Sequence, residues 1–149
     1  MSPKPVHALN LTEVPRDQFD DGLRKYFNVA EEKIGFLPNV LRAYAWNPER
    51  LRWFSRFYNE IMLGESGLSK LEREMIAVVV SSANRCWYCQ VAHGAAVRQM
   101  GRDPVLGDAG FTEAAIWDIC DVAGLFAMTN RVASGVGMQP IPEYHAASR

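Results

Sequence analysis

The sequence predicts an all-α fold, a compact bundle of about six helices in a single domain. Three observations lead there. Apolar residues recur at three- and four-residue intervals along much of the chain, the period of a helix with one buried face. Gly, Pro and capping residues punctuate those stretches, as helix ends require. The one β-branched run, Val78-Val79-Val80, has no second strand candidate to pair with, and a lone strand has no stability of its own.

Residues 1–15 carry Pro3, Pro5 and Pro15 and read as an extended arm before a domain spanning 16–149. A first helix is expected from Asp17 to about Lys33, with Phe19, Leu23, Tyr26, Phe27 and Ala30 as its stripe and Gly35 as its stop. Pro38 can open a short helix through Trp46. Asn47 then caps a third, with Pro48 at its first position and Leu51, Phe54, Tyr58, Ile61 and Met62 facing inward. Ser69 and Glu72 form a capping box for a fourth. There Leu68, Leu71, Met75 and Val79 are spaced for one face, although residues 75–80 are apolar on all sides. Ala83-Asn84-Arg85 is a break. A fifth helix runs from about Cys86 to Met100, stopped by Gly101. After a loop over 102–111, Thr112 caps the last long helix, with Ala115, Ile116, Ile119, Val122, Ala123, Phe126 and Val132 as its core stripe. The tail beyond Gly137 reads as irregular. The helices around Val79 and Leu125 are apolar on more than one face, which suggests surface buried against another copy.

Composition narrows the function. The chain has 149 residues, 48% hydrophobic and 22% charged, with formal net charge −1. That suits a globular domain able to build a core without disulfide or metal staples. No Lys/Arg block supplies the basic footprint that nucleic acid requires. No stretch resembles a membrane span or signal peptide, so a cytoplasmic setting with reduced thiols is expected. No flavin, haem or nicotinamide signature is present, and no cofactor is expected.

Cys86-Trp87-Tyr88-Cys89 is the sharpest feature. On a helix, Cys86, Cys89 and His93 fall within about 60° of arc, so two thiols and an imidazole share one side. A cysteine at a helix N-terminus is stabilised as the thiolate. Its sulfenic acid would be trapped by the neighbouring thiol as a disulfide, and His93 can move protons near neutral pH. Dithiol redox chemistry fits these residues. A zinc site would need a fourth ligand such as Cys120 and lacks the second close-spaced pair typical of structural zinc; no metal is expected. An inert buried pair is the third reading. Glu74 precedes the apolar run. It either enters the core with a raised pKa or pairs with Lys70 one turn earlier on the surface.

The stretch from Leu68 through Ala77, followed by Asn84, Cys86, Tyr88-Cys89 and Ala92-His93, resembles the carboxymuconolactone decarboxylase superfamily. The branch is the one like alkylhydroperoxidase D, especially its small peroxidase-related proteins. The motif is a Glu twelve residues before a Cys-X-X-Cys, with a His four residues after the second Cys. Gly35-Phe36-Leu37-Pro38-Asn39-Val40 and Asn130-Arg131-Val132-Ala133 also look like that subgroup, so the resemblance spans about residues 33–137.

The resemblance implies an all-α protein assembling as a homotrimer or homohexamer, with hydroperoxide reductase activity. It makes Cys89 the peroxidatic nucleophile, Cys86 the resolving thiol, and Glu74 with His93 a proton relay. Helix position alone favours Cys86 as the more acidic thiol; the relay favours Cys89 as the attacking one. The substrate would be a hydroperoxide, and the electron donor an external dithiol on a lipoyl-bearing or thioredoxin-like protein. The sequence departs at Tyr88, where alkylhydroperoxidase D carries a histidine; a tyrosine is a poor base at neutral pH. Two alternatives are a redox-sensing or metal-holding helical module and a lactone decarboxylase.

Overall fold

The computed structural model describes residues 6–100 and 113–146. Among the described residues seven α-helices follow in order: α1 Asp21–Ile34, α2 Asn39–Tyr44, α3 Pro48–Leu63, α4 Lys70–Ala83, α5 Trp87–Met100, α6 Glu113–Gly135 and α7 Pro142–Ala146. No strand occurs among the described residues, so the all-α expectation holds. The expected stop at Gly101, the 102–111 loop and the Thr112 cap lie outside the described residues. So do the side chains of Ala115, Ile116 and Cys120.

Local chemistry sets the helix ends. Asp20 accepts the Leu23 amide at 3.1 Å, so α1 begins at Asp21 rather than at Asp17. Pro15 instead leads into a short 3-10 turn over Arg16–Gln18. Gly35 ends α1 at φ +86°, a left-handed conformation that glycine adopts without penalty. Asn47 accepts the Arg50 amide at 3.0 Å, and Pro48 opens α3. At Gly64 a Cβ would collide with the Glu60 carbonyl oxygen. There the buried Arg73 side chain donates to the Ile61 and Gly64 carbonyls at 2.8 and 3.1 Å, satisfying acceptors that the end of α3 leaves unpaired. The Ser69–Glu72 capping box is complete.

The tail is more ordered than its sequence suggests, because Pro142 opens α7 and that helix packs on α5. The described part of the arm bends over residues 6–9 and is docked: Ala8 donates to Val136 at 2.7 Å, and Gln139 to Val6 at 3.2 Å. Val6 joins the apolar cluster that holds both motif cysteines.

α4 lies between α3, α5 and α6, but it is turned differently from the expected face. Its buried residues are Arg73, Glu74, Ala77 and Ser81. Met75 and Val79 point outward, 42% and 67% exposed. Of the two helices expected to carry extra apolar surface, α6 buries Leu125 and exposes Met128.

Candidate active site

The corner between α4 and α5 builds the site. The Cys86 amide reaches back to the Ser81 carbonyl at 2.9 Å, and the Arg85 amide to Ser82 at 3.1 Å. This pair of bonds is a Schellman closure of α4. It requires a left-handed residue at Arg85, whose φ is +53°. A non-glycine side chain there costs about 1–2 kcal/mol, and such local strain gathers at functional sites. The chain then turns directly into α5, whose N-cap is Cys86: its carbonyl accepts the Gln90 amide at 3.0 Å.

Cys86 and Cys89 are both free thiols and both buried. Their sulfurs lie 3.0 Å apart, in hydrogen-bond contact and not covalently joined. The Cys89 thiol donating to Cys86 pulls the Cys86 pKa down to about 6 against the opposing effect of burial. The Cys89 backbone amide at the helix N-terminus, the Ser134 hydroxyl and the His93 charge add to that pull. Cys89 is pushed upward for the complementary reason: it supplies the proton that Cys86 shares, and it is buried. At neutral pH the pair therefore holds one thiolate and one thiol, with the charge favoured on Cys86, as helix position predicts.

Packing of α4 against α5 brings Glu74 to His93. The Glu74 carboxylate and His93 Nδ1 are 2.6 Å apart, with side chains only 10% and 13% exposed. Of the two readings of Glu74, the buried one is what the structure contains. The imidazole also stands edge-on to Phe126 of α6, ring centroids 4.4 Å apart, which fixes its plane.

Three groups that sequence reasoning passed over complete the surroundings. Asn130 of α6 is 1% exposed. It donates to Ser81 Oγ and accepts from Asn84 Nδ2, each at 3.2 Å. Both Asn130 and Ser81 also hydrogen-bond Cys89 and oppose its upward shift. Tyr58 of α3 feels the charge of both Glu74 and Cys89. So does Tyr144 of α7, which packs against the cysteine cluster. Asn130 had a signal in the motif at the end of α6; Tyr58 looked like ordinary core, and Tyr144 lay in a tail read as irregular. The Tyr88 hydroxyl accepts the Val40 amide at 2.9 Å. Among the described residues no group of three His, Cys, Asp or Glu side chains is arranged to hold a metal ion. None of the described helices is long and apolar enough to cross a membrane.

A buried Cys-X-X-Cys at a helix N-terminus, with a Glu–His pair from two packed helices, defines an all-α dithiol protein. Residues 48–136 match the carboxymuconolactone decarboxylase family model, and the chain belongs to that family. Among solved structures it is similar to an uncharacterized peroxidase-related protein from Silicibacter sp. TM1040. The identity is 44%, the coverage 100% of this chain and 99% of the other, and the TM-score 0.88. It is also similar to an alkylhydroperoxidase AhpD core protein, uncharacterized and peroxidase-related, from Ralstonia eutropha JMP134. There the identity is 28%, the coverage 99% and 98%, and the TM-score 0.88. The debrominase Bmp8, at 17% identity, 93% and 96% coverage and TM-score 0.74, shares the fold. No curated protein matches the chain.

Proposed function

We propose that this protein is a thiol-dependent hydroperoxide reductase in which Cys89 attacks and Cys86 resolves. The observation that carries the reading is the adjacency of two pairs, the sulfurs at 3.0 Å and the Glu74–His93 contact at 2.6 Å. Cys86 and Cys89 share one proton. Moving it off Cys89 puts the charge on the sulfur within reach of Glu74's neighbours Tyr58 and Tyr144. His93, oriented by Glu74, accepts and returns that proton.

The Cys89 thiolate attacks the outer oxygen of a hydroperoxide ROOH. An S–O bond forms, the O–O bond breaks, and RO⁻ leaves to become ROH on taking a proton. Cys86 then attacks the sulfur of the Cys89 sulfenic acid, a disulfide forms, and the hydroxyl leaves as water with the proton from Cys86. An external dithiol, on a lipoyl-bearing or thioredoxin-like protein, returns both thiols and is itself oxidised. The exposed apolar stripe of α4 and Met128 of α6 support a homotrimer or homohexamer, and the thiol cycle suits the reducing cytoplasm.

The test is turnover of an alkyl hydroperoxide with a dithiol donor, combined with dimedone trapping. Cys89→Ser and Cys86→Ser should both lose dithiol-supported turnover, and Cys86→Ser should accumulate a dimedone adduct on Cys89. A sulfenic acid formed on Cys86 in Cys89→Ser at the wild-type rate would reverse the two roles. Full turnover in both variants would overturn the reading.

A further inference from the structure

The corner that carries Cys86 is held from inside by a buried polar network that the thiol cycle does not consume. Asn130 of α6 and Ser81 of α4 sit at its centre, 1% and 0% exposed. The Asn130 side-chain amide donates to Ser81 Oγ at 3.2 Å, and its oxygen accepts from Asn84 Nδ2 at 3.2 Å. The Ser81 backbone carbonyl accepts from two donors in turn, the Cys86 amide at 2.9 Å and the Gln90 side chain at 3.3 Å. One side chain on α6 therefore grips α4 at Ser81 and at its C-cap, Asn84. Ser81 passes that hold to both ends of the first turn of α5. Filling this space needs no polar groups, since apolar groups of the same shape can pack about as well. What the hydrogen bonds add is direction.

The corner needs such a brace. Arg85, between Asn84 and Cys86, is left-handed at φ +53°, a conformation that a non-glycine residue keeps only where its surroundings impose it. If Arg85 relaxed, the Cys86 amide would leave the Ser81 carbonyl and carry its sulfur away. Yet Cys86 has to stay against Cys89, whose sulfur is 3.0 Å away, because a second thiol captures a sulfenic acid quickly only when it is already in place.

We propose that Asn130 is a positioning residue for disulfide formation: acting through Ser81 and Asn84, it holds the α4–α5 corner so that the second thiol meets the sulfenic acid as it forms. The proposal rests on the dithiol reading above and holds whichever sulfur attacks first. In the step concerned, the thiol sulfur attacks the sulfenic sulfur, the S–S bond forms and the S–O bond breaks. The hydroxide leaves as water with the proton of the attacking thiol. Asn130 touches neither peroxide nor leaving group; it sets the distance and direction of the attack.

The test is a partition. Reduced full-length protein receives one equivalent of cumene hydroperoxide in excess dimedone. Mass spectrometry then counts the Cys86–Cys89 disulfide against the dimedone adduct on either cysteine. That ratio does not depend on how fast the sulfenic acid forms, and a general loss of stability in a protein that is still folded does not move it. Asn130→Ala should lower the ratio of disulfide to adduct about 10-fold, within the roughly 100-fold that a 1 Å misplacement can cost. Ser81→Ala keeps the carbonyl that holds Cys86 and Gln90, and should lower the ratio by a smaller factor. Asn130→Ala should then cost less in the Ser81→Ala background than in wild type, as expected for residues in one network. Circular dichroism at the assay temperature checks the fold; if Asn130→Ala does not fold, Ser81→Ala and Asn84→Ala carry the same comparison. An unchanged ratio in folded Asn130→Ala, an unchanged ratio in both partner variants, or factors that simply multiply in the double variant would overturn the role of Asn130. A wild type that forms no Cys86–Cys89 disulfide would overturn the dithiol reading instead.

Discussion

The two faces of α4 reverse the usual arrangement of an amphipathic helix. Inward it carries Arg73, Glu74, Ala77 and Ser81; outward it carries Met75 and Val79. A helix stabilised only by its own core would turn Met75 and Val79 inward beside Ile76 and Val80, which do pack against it. Here the inner face is used for chemistry and bracing: Glu74 on His93, Ser81 against Asn130, and the Ser81 carbonyl on the amide of Cys86. The outer face leaves apolar side chains exposed. Buried polar side chains need specific neighbours: Glu74 and Ser81 find theirs in the site, whereas Arg73 donates to the Ile61 and Gly64 carbonyls at the end of α3.

Substitutions on the two faces should therefore have different readouts. Glu74→Gln keeps the volume and removes the carboxylate that orients His93. Thiol oxidation should slow about 100-fold, a typical loss for an acid–base group, with little change in the melting temperature. Stopped-flow measurement of thiol oxidation beside calorimetry checks both. Asn130→Ala leaves Ser81 Oγ and Asn84 without their shared partner, and should cost about 2–3 kcal/mol of unfolding free energy, read by denaturant titration. On the outer face, Val79→Asp places a charge in the apolar surface that the proposed homo-oligomer would cover. It should shift the mass measured by light scattering toward the monomer. An unchanged mass would mean this face is not the contact. The smallest effect belongs to the corner: Arg85→Gly relieves a left-handed side chain and should raise stability by about 0.5–1 kcal/mol, again by denaturant titration.

How much of this was legible depended on the range of the contacts. Cys86, Cys89 and His93 were legible because one helix sets their spacing, and Glu74 because its offset from the pair belongs to a recognisable motif. The caps at Asn47 and Ser69 are local chemistry and were legible in the same way. The rotation of α4 was not: a helix apolar on all sides carries no phase, and only packing on α5 and α6 selects the Glu74–Ser81 side. Asn130 meets Ser81 across 49 residues of chain, and Tyr144 meets Tyr88 across a similar stretch, so no periodicity could place either. α7 is five residues long, too short for a hydrophobic pattern, and is held by Tyr144 and by α5. The start of α1 was misjudged because Phe19, an apolar residue in phase, lies just before its Asp20 cap.

The central claim is that Cys86 and Cys89 form a reactive pair holding one thiolate at neutral pH. The pKa of Cys86 is lowered, so the thiolate persists above about pH 6 and is lost as pH falls through that value. The most direct measurement is a free-thiol count at pH 7 before and after one equivalent of an alkyl hydroperoxide. The chain has three cysteines. The account predicts that Cys86 and Cys89 are lost together and Cys120 remains. A count unchanged by the peroxide would contradict it.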